Sequence, residues 1–139
     1  ERTGYYSDMT RTVVKGNPSP EIREMYDAVS TVQEHAASMI KPGITGEEVY
    51  QGVVDLFSSL GYRTGREGFT HNLGHGVGLE VHELPSIGPG GAPLISGNVV
   101  TNEPGLYYEN TGGVRLENIG VLTRTGYRCI TSFPKELVV

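Results

Sequence analysis

Residues 70–83, Thr-His-Asn-Leu-Gly-His-Gly-Val-Gly-Leu-Glu-Val-His-Glu, constrain this chain more than any other stretch. Three of its four histidines fall here, and glycines at 74, 76 and 78 alternate around and after the middle one. His71 and His75 have the spacing of one helical face. Glycine inside a helix is destabilising, however, and three alternating glycines exclude a helix here. The expectation is an extended or looping backbone, stripped of side chains so that the main chain approaches a ligand or metal closely. In such a backbone His71, His75 and His82 need not point the same way and can do separate jobs. A lone histidine in a soluble domain is more often a surface or hydrogen-bonded residue. Three among glycines favour a site that uses imidazole near neutral pH.

A chain of 139 residues supports one domain with a modest core. It opens on Glu rather than Met, as a processed chain or a piece of a longer one does. No apolar run approaches the roughly 20 residues that cross a bilayer, and no charged-then-apolar leader opens the sequence, so it reads as soluble. Acidic residues outnumber basic ones, 16 to 11, and the positive charges are scattered. That argues against nucleic acid or an anionic membrane as a partner. The single cysteine, Cys129, excludes an internal disulfide and a multi-cysteine zinc site. It lies in the alternating run Tyr127-Arg128-Cys129-Ile130 and reads as a small buried strand residue.

Tyr5 to Val14 is rich in Tyr, Thr and Val and reads as a strand with Asp8 in its middle. Ser19-Pro20-Glu21 is a helix start, with Ser as cap, Pro at the first position and an acid in the first turn. Apolar residues then recur at helical spacing from Ile22 to Ile40. His35, at the border of that stripe, reads as structural or exposed. Pro42-Gly43 ends the helix, and Thr45-Gly46-Glu47-Glu48 reads as a capping box opening a second one over Val49, Val53, Leu56, Phe57 and Leu60. Leu84 to Gly97 reads as a surface loop beside the site. Strands follow at 98–101, 106–108, 114–122 and 127–131, with hairpin turns at Asn110-Thr111-Gly112-Gly113 and Arg124-Thr125-Gly126. The expected layout is α+β: an antiparallel sheet backed by two helices.

Glu103 follows an apolar strand, and Glu117 sits in the middle of another. Each alone reads as a surface acid, because buried charges need a partner. With Asp8 and His75 they make three carboxylates and an imidazole on four segments of one expected sheet, a donor set suited to Mn, Co, Fe or Zn. Converging carboxylates repel one another unless a cation neutralises them.

Four segments together resemble the pita-bread metallopeptidases, a family that includes methionine aminopeptidase, aminopeptidase P, prolidase and creatinase. They are Gly4-Tyr5-Tyr6-Ser7-Asp8-Met9-Thr10-Arg11-Thr12, residues 70–83, Asn102-Glu103-Pro104-Gly105, and Gly113-Val114-Arg115-Leu116-Glu117-Asn118. They span almost the whole chain in the family's order and are most similar to the Xaa-Pro branch, prolidase and aminopeptidase P. The resemblance implies the carboxy-terminal portion of a pita-bread fold, with a curved antiparallel sheet. It also implies that Asp8, His75, Glu103 and Glu117 are metal ligands, Asp8 and Glu117 bridging two divalent ions in the intact enzyme, with Mn favoured over Co, Zn or Fe. A bridging water would be the nucleophile, with Glu103 also its proton acceptor. His71 and His82 would steady the substrate carbonyl or pass protons to the leaving proline nitrogen. Arg115, two residues before Glu117 and so on the same strand face, would contact carboxylates near the metals. The partner implied is a proline-containing peptide, and the intact enzyme is expected to be a cytoplasmic homodimer.

The match departs from the family at one ligand. The family uses five, and the fifth is an aspartate upstream of Asp8, whereas no aspartate precedes Asp8 in this sequence. Residues 1–139 therefore read as an incomplete catalytic domain whose upstream half, and any amino-terminal domain, are absent. Alone it is expected to bind one ion well and hydrolyse poorly. Asn118 stands where many members have an acid. Two other readings compete: a creatinase-like hydrolase, and a non-catalytic module that uses the scaffold to bind proteins. The second has little need for clustered buried acids.

Overall fold

The computed structural model describes residues 4–139, in which two helices precede seven short strands. Helix α1 (Pro20–Met39) starts as its sequence dictates, with the Ser19 side chain accepting from the Ile22 amide and proline at the first position. Its apolar stripe buries Met25, Tyr26, Val29, Val32 and Ala36. Helix α2 (Gly46–Ser59) opens on the expected capping box. The Glu48 amide donates to Thr45 Oγ1 at 3.0 Å, and the Thr45 amide donates to the Glu48 carboxylate at 2.8 Å. His35 is exposed, as expected.

The strands are β1 (Gly74–Gly76), β2 (Glu83–Ile87), β3 (Val99–Asn102), β4 (Gly105–Tyr108), β5 (Gly112–Arg115), β6 (Asn118–Leu122) and β7 (Tyr127–Cys129). Five form an antiparallel sheet in the order β2-β1-β3-β6-β7, while β4 and β5 pair as a separate hairpin. Helix α1 packs on β3, β4 and β5, and α2 on β2. Between helices and strands lie Phe57, Phe69, Leu73, Ile87, Leu94, Leu106 and Leu116, all fully buried. This is the expected α+β layout, and it sets the core behind the strand ends that carry the acids.

Several local expectations are corrected. Tyr5–Val14 is not a ladder strand. It runs extended, held by single bonds: the Tyr6 amide to the Gly78 carbonyl at 2.9 Å and the Glu117 amide to the Thr10 carbonyl at 3.0 Å. Residues 114–122 are not one strand either, because the chain leaves one sheet for the other at Leu116-Glu117. Those two amides bond outside both ladders, to Pro104 and Thr10. The four candidate ligands are therefore not on one sheet. Glu83–Ile87 is an edge strand rather than loop, and an edge is where a strand tolerates Pro85.

Cys129 is exposed, since β7 is the outermost strand and alternation fixes a side chain's direction without supplying cover. The glycines around His75 also serve a different purpose from the one expected. A Cβ on Gly74 would stand 2.2 Å from the Thr101 carbonyl oxygen, and one on Gly76 would stand 2.3 Å from that of Leu84. They let neighbouring strands, not a ligand, come close. Gly74→Ala must push β1 off β3 and is expected to cost about 2–3 kcal/mol in urea unfolding. A loss below about 0.5 kcal/mol would contradict this packing.

Candidate metal centre

Asp8 is fixed by its neighbours two residues away on either side. Tyr6 is tied to the histidine loop, and Thr10 is tied to the break that carries Glu117. The Thr10 hydroxyl donates to Glu117 Oε2 at 2.5 Å and accepts from Arg115 Nε at 3.2 Å. His75 lies in the middle of β1, and Glu103 lies directly after β3, the next strand in the sheet. One atom each from Asp8, His75 and Glu117 lie within 4.8 Å of one another. Glu103 Oε1 reaches the same imidazole, 3.1 Å from His75 Nε2, and Asp8 Oδ2 is 3.7 Å from that nitrogen. All four sequence-derived candidates thus meet around one ring nitrogen or its immediate neighbours.

The state of that nitrogen follows from its partner on the other side of the ring. His75 Nδ1 is 3.0 Å from the Gly76 carbonyl, which can only accept, so Nδ1 carries the proton. In a neutral ring Nε2 then presents a lone pair to two carboxylates. That arrangement is repulsive unless a proton or a cation lies between them. A histidine that gives its other N–H to a carbonyl is also how proteins orient a metal-ligating imidazole.

The ionisable groups respond in the same sense. Burial, joined by the charges of Glu103 and Asp8 and opposed by the Thr10 hydrogen bond and the Arg115 charge, lifts the Glu117 carboxyl to about 7. Glu117 is only 3% exposed. Burial opposes the charged form of His75, yet its bonds to Glu103 and Gly76 and the charges of Glu103 and Asp8 together raise its pKa. Burial likewise opposes ionised Glu103, but His75 and the Thr101 hydroxyl hold its pKa below the usual value. Negative charge is crowded here, and a divalent cation would relieve it. The donor set, two or three carboxylates and one imidazole, fits such an ion.

A cavity of about 560 Å³ lies over this cluster, lined by His71, His75, His82, Glu103, Tyr107 and Arg115 among others, a size that suits a small peptide. His82 is exposed, stacks on His75 with ring centroids 4.0 Å apart, and makes no hydrogen bond among the described residues. His71 is engaged at both ring nitrogens: Nδ1 with the Asn72 carbonyl at 2.7 Å and Nε2 with the Tyr107 hydroxyl at 3.0 Å. Since the carbonyl fixes the proton on Nδ1, Tyr107 donates to Nε2. The same Tyr107 oxygen accepts from Arg115 Nη1 at 3.2 Å. Arg115 is near Glu117 through Thr10 and not by strand alternation, because β5 ends at Arg115.

Tyr107, Thr10, Thr101 and Gln33 were not among the expected site residues. Thr10 had a signal, its place two positions from Asp8 in an extended run. Gln33 had another, a polar side chain on the apolar stripe of α1. It is 1% exposed and donates to the carbonyls of Asn102 and Leu116, the residues immediately before Glu103 and Glu117. Tyr107 looked like any aromatic strand residue.

A model of metallopeptidase family M24 matches residues 1–124. An uncharacterized peptidase of Bacillus subtilis (strain 168) is 44% identical over 137 residues, 98% of this chain and 38% of that protein. An Xaa-Pro dipeptidase of Lactobacillus delbrueckii subsp. lactis is 42% identical over 137 residues, 98% of this chain and 36% of its own. Among solved structures, an X-Pro aminopeptidase from Thermotoga maritima MSB8 superposes with a TM-score of 0.91 at 39% identity, covering 98% of this chain and 38% of that one. The chain therefore spans less than two fifths of the proteins it matches.

Proposed function

Because this chain belongs to metallopeptidase family M24, we propose that residues 1–139 are the carboxy-terminal catalytic portion of a metal-dependent exopeptidase that hydrolyses the peptide bond before proline. The observation that carries the proposal is the convergence of Asp8, His75 and Glu117 within 4.8 Å, with Glu103 on the same imidazole. Asp8, His75, Glu103 and Glu117 would hold the metal. When bound, a divalent ion polarises a scissile carbonyl and acidifies water.

The chain's own groups supply the rest. Glu103, its pKa held low, is ionised at neutral pH and accepts a proton at its carboxylate. His82, with both ring nitrogens free among the described residues, faces the cavity and hands a proton to the leaving proline nitrogen. His71 accepts a hydrogen bond from the Tyr107 hydroxyl at Nε2 and so holds that side chain in place at the cavity wall, beside the position of the substrate. Arg115 holds Tyr107 from the other side and adds positive charge beside Thr10 and Glu117. The names of relatives support the Xaa-Pro specificity, but include both a dipeptidase and an aminopeptidase, which differ in substrate length. Manganese as the favoured ion, a homodimeric parent and a cytoplasmic location belong to the same reading, drawn from the family resemblance. No helix among the described residues is long and apolar enough to cross a membrane.

With four of the five family ligands in this sequence, the 139-residue chain is expected to bind one Mn²⁺ tightly and a second weakly. Calorimetric titration tests this, and two equally tight sites would contradict it. Release of proline from Xaa-Pro dipeptides by a longer form, after added Mn²⁺ or Co²⁺, tests the substrate class. Turnover of creatine in place of the dipeptide would replace this reading with the creatinase-like one.

A further inference from the structure

The Arg11 side chain lies outside the cluster of candidate ligands, yet its hydrogen bonding is complete. Nε donates to the Pro134 carbonyl at 2.9 Å. Nη1 donates to the carbonyls of Thr10 at 2.8 Å and Glu117 at 2.6 Å. Nη2 donates to Asn118 Oδ1 at 2.8 Å and to the Phe133 carbonyl at 3.0 Å. A guanidinium has five N–H groups in a rigid planar fork, and all are used.

The five acceptors come from three parts of the chain. Thr10 belongs to the extended run that carries Asp8. Glu117 and Asn118 are the point where the chain passes between sheets. Phe133 and Pro134 lie in the segment after β7. Neither the extended run nor the Leu116-Glu117 break has a ladder partner at this point. The two segments are also joined by the Thr10 contacts with Glu117 and Arg115 and by Thr12 Oγ1, which accepts from the Arg115 amide at 3.0 Å and donates to the Arg115 carbonyl at 3.1 Å.

We propose that Arg11 is a positioning residue. Its guanidinium locks the Asp8 run to the Glu117 break and so sets the separation of two metal-binding carboxylates without touching the ion. The proposal rests on the metal reading above and deepens it. Lysine cannot replace the arginine, because one ammonium carries three donors on a single atom and cannot span acceptors spread over three segments. Groups that orient metal ligands typically change metal affinity by about 10- to 100-fold when removed.

The test uses the 139-residue chain, its Arg11→Ala and Arg11→Lys variants, and two readouts: Mn²⁺ affinity by calorimetry and hydrogen exchange at the Glu117 amide, which donates to the Thr10 carbonyl at 3.0 Å. Arg11→Ala is expected to weaken Mn²⁺ binding about 10- to 100-fold, with recovery on adding millimolar guanidinium ion. Exchange at Glu117 should quicken at least tenfold while Val100 and Gly120 amides in β3 and β6 stay protected. Unchanged affinity overturns the proposal, and so does a loss that guanidinium does not reverse. Should Arg11→Ala fail to fold, Arg11→Lys decides: weakened binding at an unchanged unfolding midpoint supports the proposal, wild-type binding overturns it. If the unaltered chain takes up no Mn²⁺, the metal reading fails. Glu117 exchange then still decides whether Arg11 holds the two segments together.

Discussion

Replacing Glu117 by Gln is expected to stabilise the chelator-treated chain at pH 7.5 while weakening its affinity for Mn²⁺ at least 100-fold. Both effects have one origin. Burial raises the Glu117 carboxyl from 4.5 to about 7, so the folded state favours the protonated acid more than the unfolded chain does. A raised carboxyl contributes its stability fully below about pH 4.5 and loses it as pH climbs through about 7. The span corresponds to about 3 kcal/mol, an order-of-magnitude figure at 1.36 kcal/mol per unit. Chelated wild-type chain should therefore lose about this much between pH 4.5 and 7.5 through Glu117, and Glu117→Gln should lose about that much less. Urea unfolding in EDTA at several pH values measures the difference. Parallel pH curves for the two proteins would show that Glu117 is not strained by its surroundings. The opposite sign is expected with metal present, because ionised Glu117 is then a ligand and binding stabilises the folded state by mass action.

Gln33→Leu carries the second large effect. The Gln33 amide donates to the Leu116 carbonyl at 2.9 Å and the Asn102 carbonyl at 3.0 Å, in a fully buried position. Leucine fills similar space but donates nothing. The Leu116 carbonyl has no other donor among the described residues. A buried carbonyl left without a partner costs about 1–3 kcal/mol, and with the second bond also lost the total is expected near 2–4 kcal/mol. That is a large share of a stability of about 5–15 kcal/mol. Mn²⁺ affinity should fall with it, since the residues after those carbonyls are Glu103 and Glu117. Gln51→Leu is the control: the Gln51 side chain is exposed and, among the described residues, bonded only to Asp55, and its loss should change stability by less than about 0.5 kcal/mol. Equal losses in the two variants would mean that α1 does not brace the acidic turns.

Both helices were legible from Ser19, Pro20 and the Thr45–Glu48 box because a cap is a local device whose partners lie within four residues. The four candidate ligands were legible for a different reason. Charged residues beside apolar runs are conspicuous, and their motifs match a known family. What escaped were features decided by distant partners. The break at Leu116-Glu117 exists because Thr10 and Pro104 take those amides, more than 100 residues away in one case and 12 in the other. Tyr5–Val14 has strand composition, but composition cannot say whether a neighbouring strand is there to pair with it. Gly74 and Gly76 were read as opening space for a ligand when they open it for Thr101 and Leu84. Cys129 had the alternation of a buried residue on a strand with cover on neither count.

The account rests on Asp8, His75, Glu103 and Glu117 sharing one divalent ion, and anomalous diffraction from crystals of this chain grown with Mn²⁺ tests that most directly. The expected result is one strong manganese peak in contact with His75 Nε2 and with carboxylate oxygens of Asp8, Glu103 and Glu117. Manganese found only on exposed acids such as Glu80 or Glu109, with no density among those four side chains, would contradict it.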